Sequence, residues 1–247
     1  MRKRIKEGFI CLLFPRRCPV CGEVAQPVGG LACPGCIAHL SPVRPPACRK
    51  CGKEVLGDYL EYCPDCARRP KTFEAGLALL NYNDAARRSM AAIKYKNRRE
   101  YLDFYADVMG RRFQRAVSHW HAGLLIPVPV HPSRRRQRGF NQAEELAGRL
   151  GRIWGIPMEA NLLVRSKKTA PQRNLNPSER LQNLQDAFQI SDFPKKRHIA
   201  YPKLPETVIL VDDIYTTGST MEACSRTLKA AGVKQVYFVV ICTGGAG

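Results

Sequence analysis

From residue 73 onward, short apolar runs alternate with amphipathic stretches. Phe73-Glu74-Ala75-Gly76-Leu77-Ala78-Leu79-Leu80-Asn81-Tyr82 predicts a strand. Asp84 is placed to cap a helix reaching about Tyr95, with Met90 and Ile93 among its apolar residues. A second helix is expected over 100–117. Leu124-Leu125-Ile126-Pro127-Val128-Pro129-Val130 predicts a buried strand, followed by a polar loop. Ala143, Leu146, Ala147, Leu150 and Ile153 then recur at helical spacing. Residues 164–183 are polar and rich in Pro, Asn and Gln, which predicts a mobile loop. Val208-Ile209-Leu210-Val211 is apolar on both faces, as parallel strands are. Met221, Cys224 and Leu228 mark a helix that stops at Gly232, and Val236 to Cys242 is another buried strand. Strands and helices in alternation predict an α/β fold, a parallel sheet with right-handed crossovers.

Residues before 70 follow a different rule. Cys18/Cys21, Cys33/Cys36, Cys48/Cys51 and Cys63/Cys66 form four C-x-x-C pairs, each starting 15 residues after the last. The first and third pairs end in Gly (Gly22, Gly52), whereas the second and fourth read Cys-Pro-x-Cys (Pro34, Pro64). The unit is therefore about 30 residues long and is used twice. Little else here is strongly apolar, so the region needs metal to fold. Pro70-Lys71 marks the expected boundary between an N-terminal module, 1–70, and a second domain, 71–247. Met1 to Arg17 has a basic start and the apolar run Phe9-Ile10-Cys11-Leu12-Leu13-Phe14. That run is too short for a secretion signal and no small-residue cleavage site follows, so it reads as an amphipathic helix on a cytoplasmic protein.

Zn²⁺ prefers tetrahedral thiolates, and two residues between cysteines let one tight turn supply two ligands. Four pairs supply two closed Cys₄ sites, which are structural rather than catalytic. The repeat favours sequential grouping, Cys18, Cys21, Cys33 and Cys36 in one site and Cys48, Cys51, Cys63 and Cys66 in the other. A cross-braced arrangement uses the first pair with the third and stays open, as do disulfides and an iron–sulfur cluster. The chain has 11 cysteines, and an odd count fits metal in a reducing compartment better than a disulfide framework. Cys11, Cys224 and Cys242 read as buried spectators.

Composition adds two constraints. Of 247 residues, 45% are hydrophobic and 25% charged, as in soluble globular proteins, and no apolar run approaches the ~18 residues of a membrane span. The formal charge of +19 attracts polyanions: nucleic acid, phosphorylated metabolites or anionic lipid. A merely solubilising surface is the plainer reading. Arg134, Arg135, Arg136 and Arg138 place four guanidiniums in five residues and suit a diphosphate or a nucleic-acid backbone. Tyr82, Tyr95, Tyr101 and Phe140 lie beside basic residues and can stack on bases, although at least two of them should be core. Of the histidines, His131 beside the arginines is the one placed for a role.

The sharpest motif is Val208-Ile209-Leu210-Val211-Asp212-Asp213-Ile214-Tyr215-Thr216-Thr217-Gly218-Ser219-Thr220. A strand ends in two acids, and a Thr/Gly/Ser loop then opens a helix. Backbone amides there form an anion cradle, and two acids beside a phosphate make sense when the ligand also presents hydroxyls or a metal. The plain alternative is a strand end with capping residues.

This segment resembles the 5-phosphoribosyl 1-diphosphate (PRPP) loop of type I phosphoribosyltransferases. Ile126 to Pro132, Arg134 to Arg138 and Gly139-Phe140-Asn141-Gln142 resemble the ComF family, as do Gln172, Arg180 and Asn183 to Phe188. The cysteine repeat is similar to that family's double zinc ribbon. The resemblance implies a type I phosphoribosyltransferase sheet behind an N-terminal double zinc-ribbon module. It implies that Asp212 and Asp213 hold the ribose and act in catalysis. Thr216, Thr217, Gly218, Ser219 and Thr220 would bind the 5-phosphate, with Arg134 and Arg138 on the diphosphate. Residues 164–180 would close over the site, and Mg²⁺ would accompany PRPP. The implied reaction is displacement of diphosphate from C1 by a nitrogen nucleophile. The metal module stands where metabolic members carry a base-selecting hood, which leaves the acceptor open. The family is associated with natural transformation, so single-stranded DNA is the implied partner, together with competence helicase or recombination proteins. A catalytically inactive nucleic-acid adaptor and a metabolic transferase are the alternatives.

Overall fold

The computed structural model describes residues 15–57, 59–165, 187–191 and 204–244. The expected N-terminal helix lies outside these residues apart from its last three positions. So do Cys11, Gln172, Arg180, His198, residues 183–186 and most of the expected 164–183 loop.

Seven strands are described: β1 Ser41–Pro42, β2 Gly76–Asn81, β3 Leu124–Pro127, β4 Leu163–Arg165, β5 Phe188–Ile190, β6 Thr207–Tyr215 and β7 Gln235–Thr243. Five of them form one sheet in the order β1-β2-β7-β6-β3. Every pairing in it is parallel except β1 on β2, where Ser41 faces Asn81. β4 and β5 form a separate antiparallel pair, so Val164 and Arg165, expected in a loop, belong to a strand. Apolar side chains alternate between two cores. Leu125, Ile209, Val211, Val239 and Ile241 pack into one, under α3 (Asp84–Tyr95), α4 (Tyr101–Trp120) and α6 (Gln142–Trp154). Leu124, Ile126, Val208, Leu210, Phe238 and Val240 pack into the other, under α7 (Ser219–Ala230).

Boundaries differ from expectation where backbone chemistry dictates. Asn83, not Asp84, caps α3: its side chain accepts from the Ala86 amide, and Asp84 is the first helical residue. β3 stops at Pro127, because Pro127 and Pro129 lack the N–H a ladder needs. The loop expected after Val130 contains a short helix, α5 (Pro132–Arg138). The His131 ring accepts from the Ser133 amide at 3.2 Å, Pro132 fills the first helical position, and Gly139 at φ 78° ends it. His131 therefore serves as a cap. β6 runs past the apolar segment to Tyr215, so Asp212 and Asp213 lie inside the strand, Asp212 opposite Val240.

The cysteine region is woven into this body. Single turns α1 (Pro34–Ile37) and α2 (Pro64–Arg68) start after Cys33 and Cys63, each on a proline. Ala25, Ala32 and Leu40 join the first core, Val43 and Val55 the second, and β1 extends the sheet across the Pro70 boundary. Gly52 is fixed by its surroundings: at φ 71° it lies so close to β2 that a Cβ would approach the Gly76 carbonyl to 2.6 Å. No helix among the described residues is long and apolar enough to cross a membrane.

Candidate functional site

Parallel strands end on one edge, and ligands in open α/β sheets collect there. At that edge β6 delivers Asp212 and Asp213, the turn Thr216–Gly218 leads into α7, and the segment after β3 leads into α5. The structure thus gathers the sequence-predicted groups 212–220 and 134–138 from two adjacent strands.

The turn is shaped for an anion. Gly218 has φ 77°, and a Cβ there would collide with the Tyr215 hydroxyl, so only glycine fits. The amides of Thr216, Thr217 and Gly218 have no acceptor among the described residues. The following amides, at Ser219 and Thr220, belong to the first turn of α7, whose N–H groups have no intrahelical partner. No side chain caps this helix. Thr217 and Ser219 share a hydroxyl–hydroxyl bond of 3.0 Å, and Thr216 is exposed. Buried Glu222 holds α7 in place by accepting from the Thr72 amide at 2.9 Å and from Arg226 at 2.8 Å.

The two acids behave differently. Burial and the neighbouring Asp213 carboxylate push Asp212 well above the usual carboxylate range. Burial acts the same way on Asp213, but the Lys94 ammonium, in direct ion-pair contact, reverses it and holds Asp213 below its ordinary value. Burial would lower Lys94, and Asp213 outweighs it and holds the ammonium above its usual value. Sequence reasoning misses Lys94 as a site residue. It follows Met90 by four, a cation on the core-facing stripe of α3, which was the available signal. Asp212 Oδ1 accepts from the Asp213 amide at 2.8 Å.

The arginines of α5 diverge. Arg138 stacks over Tyr95, 5.2 Å from the ring centroid, and donates to Gln142 Oε1 at 3.3 Å. Arg135 pairs with Glu144 at 3.0 Å. Arg134 is exposed and, four residues before Arg138, shares its helix face. Arg135 and Arg136 border a cleft of about 280 Å³ reaching Arg165 on β4. Burial, and then the Arg134 charge, depress the Arg165 guanidinium, which places two cations near each other at this edge. Tyr101 and Phe140 are buried, whereas Tyr82 and Tyr95 are exposed. Cys224 and Cys242 are fully buried, and burial raises both thiols.

The cysteines fall into two sequential groups, Cys18, Cys21, Cys33 and Cys36, and Cys48, Cys51, Cys63 and Cys66. Within each, the sulfur atoms all lie within 4.8 Å of one another. Amides point at them: Cys33 N–H donates to the Cys18 sulfur and Gln26 N–H to the Cys33 sulfur, at 3.5 and 3.3 Å. Burial works against ionisation of Cys18, but amide donors bring it down to about 7. Desolvation and the sulfurs of Cys21 and Cys18 drive Cys36 up to about 12. In the second group Cys48 is lowered and Cys51 raised, each chiefly by the other. Four thiols so close cannot all ionise without a cation between them. The donor set fits two structural Zn²⁺ ions. The second group is fully buried, while Cys21 of the first is exposed.

Comparison with known proteins agrees with both halves. Residues 9–67 match the double zinc ribbon domain and residues 138–247 the phosphoribosyl transferase domain. Competence protein F of Haemophilus influenzae is 31% identical over 90% of this chain and 95% of its own length. Competence protein ComFC of Bacillus subtilis is 27% identical over 84% of this chain and 83% of its own. DNA utilization protein YhgH of Escherichia coli K12 is 26% identical over 79% and 83%. Among solved structures, a purine phosphoribosyltransferase from Pyrococcus horikoshii aligns at TM-score 0.35 and 17% identity, covering 58% of this chain and 73% of that one. With its double zinc ribbon set against a type I phosphoribosyltransferase sheet, this chain belongs to the ComF family of competence proteins.

Proposed function

We propose that the chain binds PRPP in the turn after β6 and acts in natural transformation, handling incoming single-stranded DNA in the cytoplasm beside competence helicase or recombination proteins. The observation that carries the PRPP half is the run of open amides at Thr216–Gly218 next to Asp212 and Asp213. The amides and the start of α7 hold the 5-phosphate, and the hydroxyls of Thr216, Thr217, Ser219 and Thr220 add bonds. Asp212 and Asp213 hold the ribose hydroxyls and stabilise positive charge on the ring. Arg134 and Arg138 face the diphosphate. In transfer, the C1–O bond breaks, diphosphate leaves with the electron pair, and a nitrogen nucleophile bonds to C1. Mg²⁺ neutralises part of the diphosphate charge when bound. The DNA half is supported by the +19 charge and by the names of the relatives.

A second reading is favoured by the Lys94–Asp213 ion pair, which sets a cation against one ribose-facing carboxylate. In it PRPP binds without turnover and the chain works as a nucleic-acid adaptor. Calorimetric titration of PRPP with Mg²⁺ tests the binding claim. Heat is expected from the native chain and none from Asp212→Asn/Asp213→Asn; no heat from the native chain, or the same heat from both, overturns it. Diphosphate release in the presence of DNA separates the two readings: turnover supports transfer, and binding without release supports the adaptor.

A further inference from the structure

A second cleft, of about 320 Å³, opens where the first cysteine ribbon meets α3. Cys21 and Gly22 form one wall, and Arg88, Ala92 and Lys96 form the other. Arg88 and Ala92 share one face of α3 and Lys96, the residue that caps its C-terminus, follows at the same spacing of four, a run of about 12 Å, while Lys94 turns elsewhere to Asp213. Asn97 in the left-handed conformation (φ 54°) reverses the chain, and the Arg98 amide donates back to the Ala92 carbonyl at 3.3 Å. That turn brings Arg98 onto the same cleft. Three cations therefore border it, and no carboxylate does. Arg98 touches Glu100 loosely at 3.6 Å, whereas Arg88 and Lys96 are exposed and have no ion-pair partner among the described residues.

Like charges held together without counter-ions repel, and such a cluster is relieved by an anionic partner. Twelve ångströms of cationic helix face is longer than one phosphate group spans, which selects a ligand carrying several phosphates in a row. We propose that this cleft seats the phosphates of a single-stranded nucleic acid. The inference deepens the DNA half of the proposed function and rests on it. It gives the strand a surface on α3 and the first ribbon, distinct from the turn assigned to PRPP.

The test is fluorescence anisotropy of a labelled oligothymidylate with the full zinc-loaded chain across a salt series. Arg88→Gln/Lys96→Gln should weaken binding tenfold or more. It should also flatten the salt slope by about 1.4, at roughly 0.7 for each single-strand phosphate that is no longer neutralised. Arg115→Gln/Arg152→Gln removes as much charge elsewhere and should stay within about twofold, and Arg88→Lys/Lys96→Arg should bind as the native chain does. If the cleft and control variants bind alike, the seat is wrong while the DNA reading stands. If the native chain ignores the oligonucleotide, that reading fails and the seat with it. If the cleft variant loses zinc, these cations serve the thiolate site, and the proposal is overturned in favour of a structural role.

Discussion

Lys94 and Asp213 are each worth more together than either is alone. Taking away one partner of a buried pair leaves the other charged and uncompensated, typically at 3–5 kcal/mol. Lys94 keeps 17% of its side chain exposed, so the low end applies, about 3 kcal/mol. Lys94→Met and Asp213→Asn should each lower Tm by about 6–12 °C, at 2–4 °C per kcal/mol for a chain of this size. The double variant should recover most of the loss; additive losses in thermal unfolding would show that the two do not interact. Asp212 makes the opposite prediction. Its carboxyl is raised in the folded chain, so its unfavourable contribution begins above the unfolded value of about 3.9 and grows with pH until the folded value is passed. Asp212→Asn should therefore unfold at higher temperature than the native chain at pH 7, with the advantage gone near pH 3.5. Asp213 is lowered, so its favourable contribution is present above about 3.9 and is lost as pH falls through its folded value. An Asp212→Asn chain whose advantage over the native chain is no greater at pH 7 than at pH 3.5 would contradict this assignment.

The two cysteine clusters are alike in spacing but not in setting. Cys48, Cys51, Cys63 and Cys66 are all buried, among Val43, Val55 and Phe73, whereas Cys21 is exposed at the cleft beside α3. A chelator reaches the first site without opening the fold, while the second requires the sheet-facing core to part. Zinc release to a colorimetric chelator is therefore expected in two phases of equal amplitude, with only the slow phase tracking global unfolding in denaturant; a single phase would contradict the difference in burial. The elements themselves were largely legible in the sequence. The long strands, α3, α4, α6 and α7 were visible because period and burial agree, as at Leu146, Ala147 and Leu150. α5 was not, because its residues are polar throughout and its start depends on a His131 cap and Pro132 rather than on an apolar stripe. The full length of β6 was hidden for a related reason. Asp212 and Asp213 read as a strand end, yet β7 pairs with Asp212 and goes on past both acids to Thr243, opposite Tyr215. Lys94 was legible only as a cation on an apolar stripe; its role was not, since its partner is 119 positions away in sequence and adjacent only in the fold.

At the scale of the molecule, the ribbons straddle the sheet, and one of them reaches the Thr216–Gly218 turn. Phe73 packs edge-on against Phe238 at 5.0 Å and Tyr215 at 6.5 Å, and Tyr215 stacks on Phe238 at 5.1 Å. Lys53, two residues after Cys51, lies 5.8 Å over the Tyr215 ring. Burial, and next the Cys51 sulfur, push the Tyr215 phenol up, which marks how near the second cluster lies. The same phenol covers Gly218 at the centre of the open amides. The second metal site thus backs the wall on which the turn is built, while the first joins the opposite core, under α3 and α4. Collapse of the second cluster frees Tyr215 to shift, and a donor set displaced by about 1 Å loses much of its grip on a phosphate. Cys63→Ser should therefore weaken PRPP binding by tenfold or more, about 1.4 kcal/mol, while Cys21→Ser changes it by less than about threefold. Zinc content should fall to one per chain in either variant, so the two differ only in which ribbon is loosened. Equal affinities in calorimetry would show that the turn stands without the ribbon behind it, and would reduce the metal module to a separate stabiliser of the chain.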